Sequence, residues 1–190
     1  MSAPSDRVRV KTGAPVASDF ASSVGTPIVI DDTASTGTAY FMDAGGTIVP
    51  LGRPLRGSWT PVLTFVTPGD LAVTYASQLA YYEQIGKQMT VHFAINTSAF
   101  THTTAAGDLK ITGIPAAVGA YSLARFQGSM RFGGITKAGY TNFTVDATAG
   151  NNFLIFSAGG SGVAASTVTA ADMPTGGTVV LRGSVTYFID

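Results

Sequence analysis

From Trp59 onward the large apolar residues of this chain recur at every second position. Trp59, Pro61, Leu63 and Phe65 alternate with Thr60, Val62 and Thr64, and Leu71, Val73 and Tyr75 with Ala72 and Thr74. In QMTVHFAIN, Met89, Val91, Phe93 and Ile95 share one face while Gln88, Thr90, His92 and Asn96 share the other. SLARFQGSMRF sets Ala124, Phe126, Met130 and Phe132 against Arg125, Gln127 and Arg131, and near the end Val179, Leu181, Val185 and Tyr187 oppose Arg182, Ser184 and Thr186. Successive side chains of a strand point to opposite faces, so each run predicts a half-buried strand. With DLKIT, TNFTVD and NFLIF between them, about nine strands are predicted over residues 57–190, with no amphipathic helix among them. That succession predicts an all-β fold, an antiparallel β-sandwich of jelly-roll-like type.

Residues 1–56 lack this regularity and read as an extended, glycine-punctuated N-terminal segment. Short β-type runs are expected at 26–30 and 47–51, with a turn at 43–46 between YFM and TIV; residues 17–23 hold at most one or two helical turns. Too few large apolar residues are present for a private core, so this segment is expected to be ordered by neighbouring chains or by the following domain. Residues 52–57 read as the linker. Trp59 then reads as a structural peg where the segment meets the core, and Pro61 places its strand at a sheet edge or a strand start.

Composition narrows the functional classes. Charged residues make up 12% of the chain, about half the usual share, and Lys+Arg 11 against Asp+Glu 11 gives zero formal charge. No basic surface is available for a phosphate backbone or anionic lipid, which argues against nucleic-acid binding, while near-zero charge favours self-association. Without cysteine there is no disulfide and no thiolate site, in keeping with a reducing cytoplasm. MSAPSDRVRVKTG lacks the apolar run of a signal peptide, and no stretch reaches the 18 apolar residues of a spanning helix, so no membrane insertion is expected.

GSWTPVLTF, VTYASQLAYYEQIGKQMTVHFAI, LKITGIP and VVLRGSVTYFI together resemble the C-terminal β-sandwich modules of bacteriophage tail fibres and related receptor-binding virion-fibre proteins. The matching landmarks are G-x-W-T-P at Gly57, Trp59, Thr60 and Pro61, Y-x-x-I-G at Tyr82, Ile85 and Gly86, and the G-I-P ending at Gly113, Ile114 and Pro115. Gly86 and Pro115 also carry local roles, as a turn residue and as a strand terminator. The resemblance covers residues 57–190. It implies a homotrimer made in the bacterial host cytoplasm and carried in the virion, joined to tail or capsid proteins through residues 1–56, and contacting a host-surface glycan or protein. A capsid-decorating or head-fibre protein is the alternative within the same class, and a glycan-degrading tail enzyme the alternative outside it.

Candidate chemistry is sparse. The two histidines, His92 and His102, lack metal-ligand spacing, Asp31-Asp32 reads as a turn, and Glu83, the one glutamate, is placed in a turn. AGGSGVAAS departs from a nucleophile elbow at Val163, and Gly86-Lys87 is followed by Gln88 rather than by the hydroxyl of a phosphate loop. No catalytic residue, metal or cofactor is expected, and the chain reads as a non-enzyme. Residues 147–171, which carry no charge and are rich in Gly, Ala and Ser around the strand Phe153–Phe156, read as a surface loop with a recognition loop as the functional alternative. Tyr140, Asn151, Asn152 and His102 are the receptor-contact candidates, able to meet a neutral glycan through amide hydrogen bonds and ring stacking.

Overall fold

A computed structural model describes residues 8–11, 13, 15–16, 28–31, 38–42, 46, 48–51, 54–122 and 125–190. They form two compact units that divide after Pro54. In the first, β1 (Val8–Lys11) runs parallel to β2 (Ile28–Asp31), which pairs antiparallel with β3 (Thr38–Met42), and β3 in turn with β4 (Ile48–Leu51). The runs expected at 26–30 and 47–51 correspond to β2 and β4, and of the turn expected at 43–46 residues 43–45 lie outside the described residues. Residues 17–23 and Asp32 lie outside the described residues.

The second unit carries β5 (Leu55–Ser58), β6 (Val62–Thr67), β7 (Ala72–Ile85), β8 (Gln88–Thr101), β9 (Ala106–Thr112), β10 (Arg125–Gly133), β11 (Asn142–Thr148), β12 (Phe153–Gly160), β13 (Val163–Thr167) and β14 (Val180–Phe188). The all-β antiparallel class is borne out. The ladder is one continuous sheet in the order β5-β7-β8-β14-β10-β11-β12-β9-β6, with β13 attached to β12, where two stacked layers were expected. Its end strands β5 and β6 are joined by residues 59–61 alone. Four Cα steps reach about 14 Å at most, so the sheet must curl until its two borders face each other, as a half-barrel.

Side chains fasten that seam. Trp59 donates from its backbone N–H to the Ala80 carbonyl and from its indole Nε1 to the Tyr81 carbonyl, both at 3.2 Å. Gln78 Nε2 donates to the Pro61 carbonyl at 2.7 Å, and the Leu63 N–H donates to the Tyr75 hydroxyl at 2.8 Å. Trp59 is thus the expected peg, half-buried against the core, but it lies in the connector after β5 and not in a strand. Pro61 directly precedes the edge strand β6, where its missing N–H costs no ladder bond. Leu55 and Arg56, read as linker, are already paired in β5 with Gln84 and Glu83. Glu83 is correspondingly a strand residue, ion-paired to Arg56 at 3.0 Å.

The core is the inward face of this sheet. Met89, Val91, Phe93 and Ile95 of β8 and Leu181, Val185 and Tyr187 of β14 are buried as their alternation predicts, beside Leu63, Phe65, Leu109, Ile111, Val145, Leu154 and Phe156. Gly86-Lys87 joins β7 to β8 as a two-residue hairpin turn, with Gly86 at φ 57°, the conformation such a turn requires at its first position. Pro115 follows the end of β9. The Tyr187 hydroxyl donates to the Ala116 carbonyl (2.9 Å) and lies 3.2 Å from Met89 Sδ; burial raises its phenol well above the usual range. The strand expected at NFLIF is the start of β12, whereas residues 157–167, expected as loop, continue it and form the β12 and β13 ladder, and Val168 and Ala170 behind it are buried. Their small side chains weaken strand propensity, but pairing with β11 and β9 and burial of the inward face decide the outcome.

At one end of the half-barrel two carboxylates tie loops together. Asp70, in the β6–β7 loop, accepts from the backbone N–H groups and hydroxyls of Thr103 and Thr104. These bonds, the Thr103 hydroxyl foremost, hold its carboxyl well below the ordinary value of 3.8. For Asp172 burial acts upward, but hydrogen bonds from Lys137 Nζ (2.8 Å) and Thr169 outweigh it and the carboxyl is lowered. A group lowered on folding stabilises the folded state above its unfolded value, and that contribution disappears as pH falls through and below it. Thermal melts are therefore expected to drop as pH falls from about 5 toward about 2, with a shallower dependence in Asp70→Asn. An Asp70→Asn profile as steep as the wild type would refute the loop tie.

Candidate functional site

The outward face of β7, β8, β14 and β10 is where sequence and register combine to leave unusual chemistry in solvent. Because paired residues of neighbouring strands share a face, the registers define rows across it. Leu79, Ala94, Arg182 and Arg131 form one row, and Tyr81, His92, Ser184 and Ser129 the next. Glu83, Thr90 and Thr186 follow, with the two threonine hydroxyls 2.8 Å apart.

Leu79 is 68% exposed and Tyr81 53%, although both stand mid-strand, Leu79 paired with Ala94 and Tyr81 with both Ser58 and His92. The Tyr81 and His92 rings stack face to face, with centroids 4.3 Å apart and planes 11° from parallel. Beside them lies an open depression of about 370 Å³, walled by Leu79, Tyr81 and His92 and floored by Ala94 with the backbone at Phe93 and Gly183. The small side chain of Ala94 keeps it open. Across the strand pair, Arg131 stands directly opposite Arg182, both exposed. Among the described residues the ion pairs are Arg56–Glu83, Arg125–Asp146 and Lys137–Asp172, so neither of these two guanidinium groups is neutralised. The face therefore offers an apolar wall, an aromatic pair and two uncompensated positive charges within neighbouring rows.

The four receptor-contact candidates are not brought together. His102 is 6% exposed and packs against Phe65 and Phe100, with ring centroids at 5.2 and 5.7 Å and no hydrogen-bond partner for Nε2. It is a core residue and no surface contact. Tyr140 precedes the start of β11 and donates from its hydroxyl to the Ala164 carbonyl at 3.1 Å, with Lys137 Nζ 5.5 Å from its ring centre. Asn151 and Asn152 occupy the turn at the opposite end of β11, where the Asn151 carbonyl accepts from the Val118 N–H. Among the described residues no three His, Asp or Glu side chains converge on a possible metal position.

The sequence pattern had already marked His92, Arg131 and Arg182 as outward, but not as neighbours. Leu79 and Tyr81 were missed, for β7 was followed only through Tyr75. Comparison with family models, with curated proteins and with solved structures finds no match in any of the three.

Proposed function

We propose that this chain is a structural and adhesive protein of a phage virion, tail-fibre-like and trimeric, with residues 1–56 serving attachment to tail or capsid proteins and the half-barrel contacting the host surface. The observation that carries this reading is the outward face just described. An uncharged-on-balance domain that leaves Leu79, Tyr81, Ile85 and Phe188 exposed on one sheet face has a surface suited to holding a partner, since exposed apolar patches on soluble domains mark interaction sites. The resemblance of residues 57–190 to fibre modules supplies the virion context, and the separate strand-built unit before Leu55 is compatible with a docking role.

Native mass measurement and binding of labelled protein to host cells test this together. A mass of three chains with saturable binding is the expected result. A single-chain mass removes the fibre reading, and a trimer without saturable binding leaves a head-fibre or decorating protein in its place. Release of new reducing ends from host polysaccharide would replace adhesion by catalysis.

A further inference from the structure

We infer that the depression beside Leu79, Tyr81 and His92 is a binding site for a carboxylated sugar, a uronate or sialate unit of a surface glycan, with Arg131 and Arg182 receiving its carboxylate. Like charges placed directly opposite on paired strands destabilise a sheet. Arg131 and Arg182 hold that arrangement while the outward carboxylates of the sheet, Glu83 and Asp146, are engaged with Arg56 and Arg125. An anion bridging the two guanidinium groups removes the repulsion and uses donors whose planar fork matches a carboxylate.

The ligand must also have an apolar surface, because the depression next to Arg182, the partner of Ala94, is walled by Leu79, Tyr81 and His92 and floored by Ala94, with Arg131 one strand beyond. A pyranose ring carries an apolar C–H face and, in an acidic sugar, a carboxylate at its rim. The volume of about 370 Å³ falls at the lower end of small-ligand clefts, ~300–1,000 Å³. Bare phosphate would satisfy the charges and leave the wall unused. The assignment rests on the adhesive reading only for the source of the glycan.

The test uses the full chain and a panel of uronate- and sialate-based oligosaccharides, each beside its methyl ester, followed by calorimetry. Binding of at least one acidic member is expected, with its ester, Arg182→Gln and Arg131→Gln each weaker by roughly tenfold or more, the worth of a charge-assisted hydrogen bond. Tyr81→Ala should weaken binding without changing its salt dependence. No binding by any member at millimolar concentration, equal affinity for an ester, or equal affinity for inorganic phosphate would overturn the site. Native mass of a Leu79→Lys variant separates the remaining case. Dissociation of the assembly, with no glycan bound by the wild type, makes this face a subunit contact and sinks the site while leaving the fibre reading intact. Conversely, a monomeric wild type that binds the acidic sugar keeps the site and removes the trimer.

Discussion

Replacing Gly128 by alanine is expected to cost more than about 3 kcal/mol, the upper end of overpacking penalties, and to leave a variant that melts roughly 10 °C below the wild type. A Cβ at Gly128 would sit 2.0 Å from the Ser184 carbonyl oxygen and 2.7 Å from Val185 Cβ. The obstacle is backbone, which cannot swing aside as a long side chain can. Relief requires β10 to lift from β14 next to Ser129 and Ser184, the pair at the end of their ladder. That ladder is the middle of the sheet, joining the half made of β5, β7 and β8 to the half made of β11, β12, β9 and β6. Gly159→Ala is the control, since a Cβ there meets nothing within 4 Å, and it should stay within about 0.5 kcal/mol of the wild type. Equal melting of the two variants would disprove the close approach of β10 to β14.

The second large effect concerns a carboxylate on the outward side of the sheet that is nonetheless 0% exposed. Asp146 accepts from Ser157 Oγ and from Thr144 Oγ1 (3.3 Å), and Arg125 Nη1 approaches it to 3.6 Å. Gln127 Nε2 in turn donates to Thr144 Oγ1 at 3.1 Å. Arg125 is half exposed, and an ordinary surface pair would contribute under about 1 kcal/mol. Here its removal strips the cation from a fully buried carboxylate, so Arg125→Met is expected to cost about 2–3 kcal/mol in urea denaturation. Replacing both members by apolar residues removes the buried charge together with its partner, and Arg125→Met/Asp146→Leu should therefore be more stable than Arg125→Met alone. A double variant less stable than the single one would show that Arg125 is not what makes the buried carboxylate tolerable.

Strand identity was legible wherever alternation ran unbroken, as in residues 88–96 and 179–187. It failed at one-residue irregularities. In β8 the odd-numbered residues through Thr97 point inward, but Ser98 is passed over in the pairing, with Thr97 opposite Tyr75 and Ala99 opposite Thr74. An extra residue flips every side chain that follows, so Phe100 and then His102 turn into the core. Reading SAFTHTTAAGD as a loop puts His102 in solvent, and simple alternation along β8 would put it outside as well, whereas the extra residue turns its ring inward. Ala76 has the same effect in β7: Val73 and Tyr75 point inward before it, Gln78, Ala80 and Tyr82 after it. Leu79 and Tyr81 consequently escaped notice as outward residues. The Arg131–Arg182 juxtaposition depends on a register between strands far apart in sequence, which local periodicity cannot specify.

β14 comes after every other strand of its sheet in the sequence, yet it lies at the centre, between β8 and β10. Until it docks, a newly made polypeptide carries two raw borders whose N–H and C=O groups lack partners. Pairings so distant along the chain form slowly. During that delay the slot is open to a matching segment of another molecule, so crowded refolding is expected to favour exchange of residues 180–188 between copies, whereas dilution leaves the tethered segment to fill its own slot.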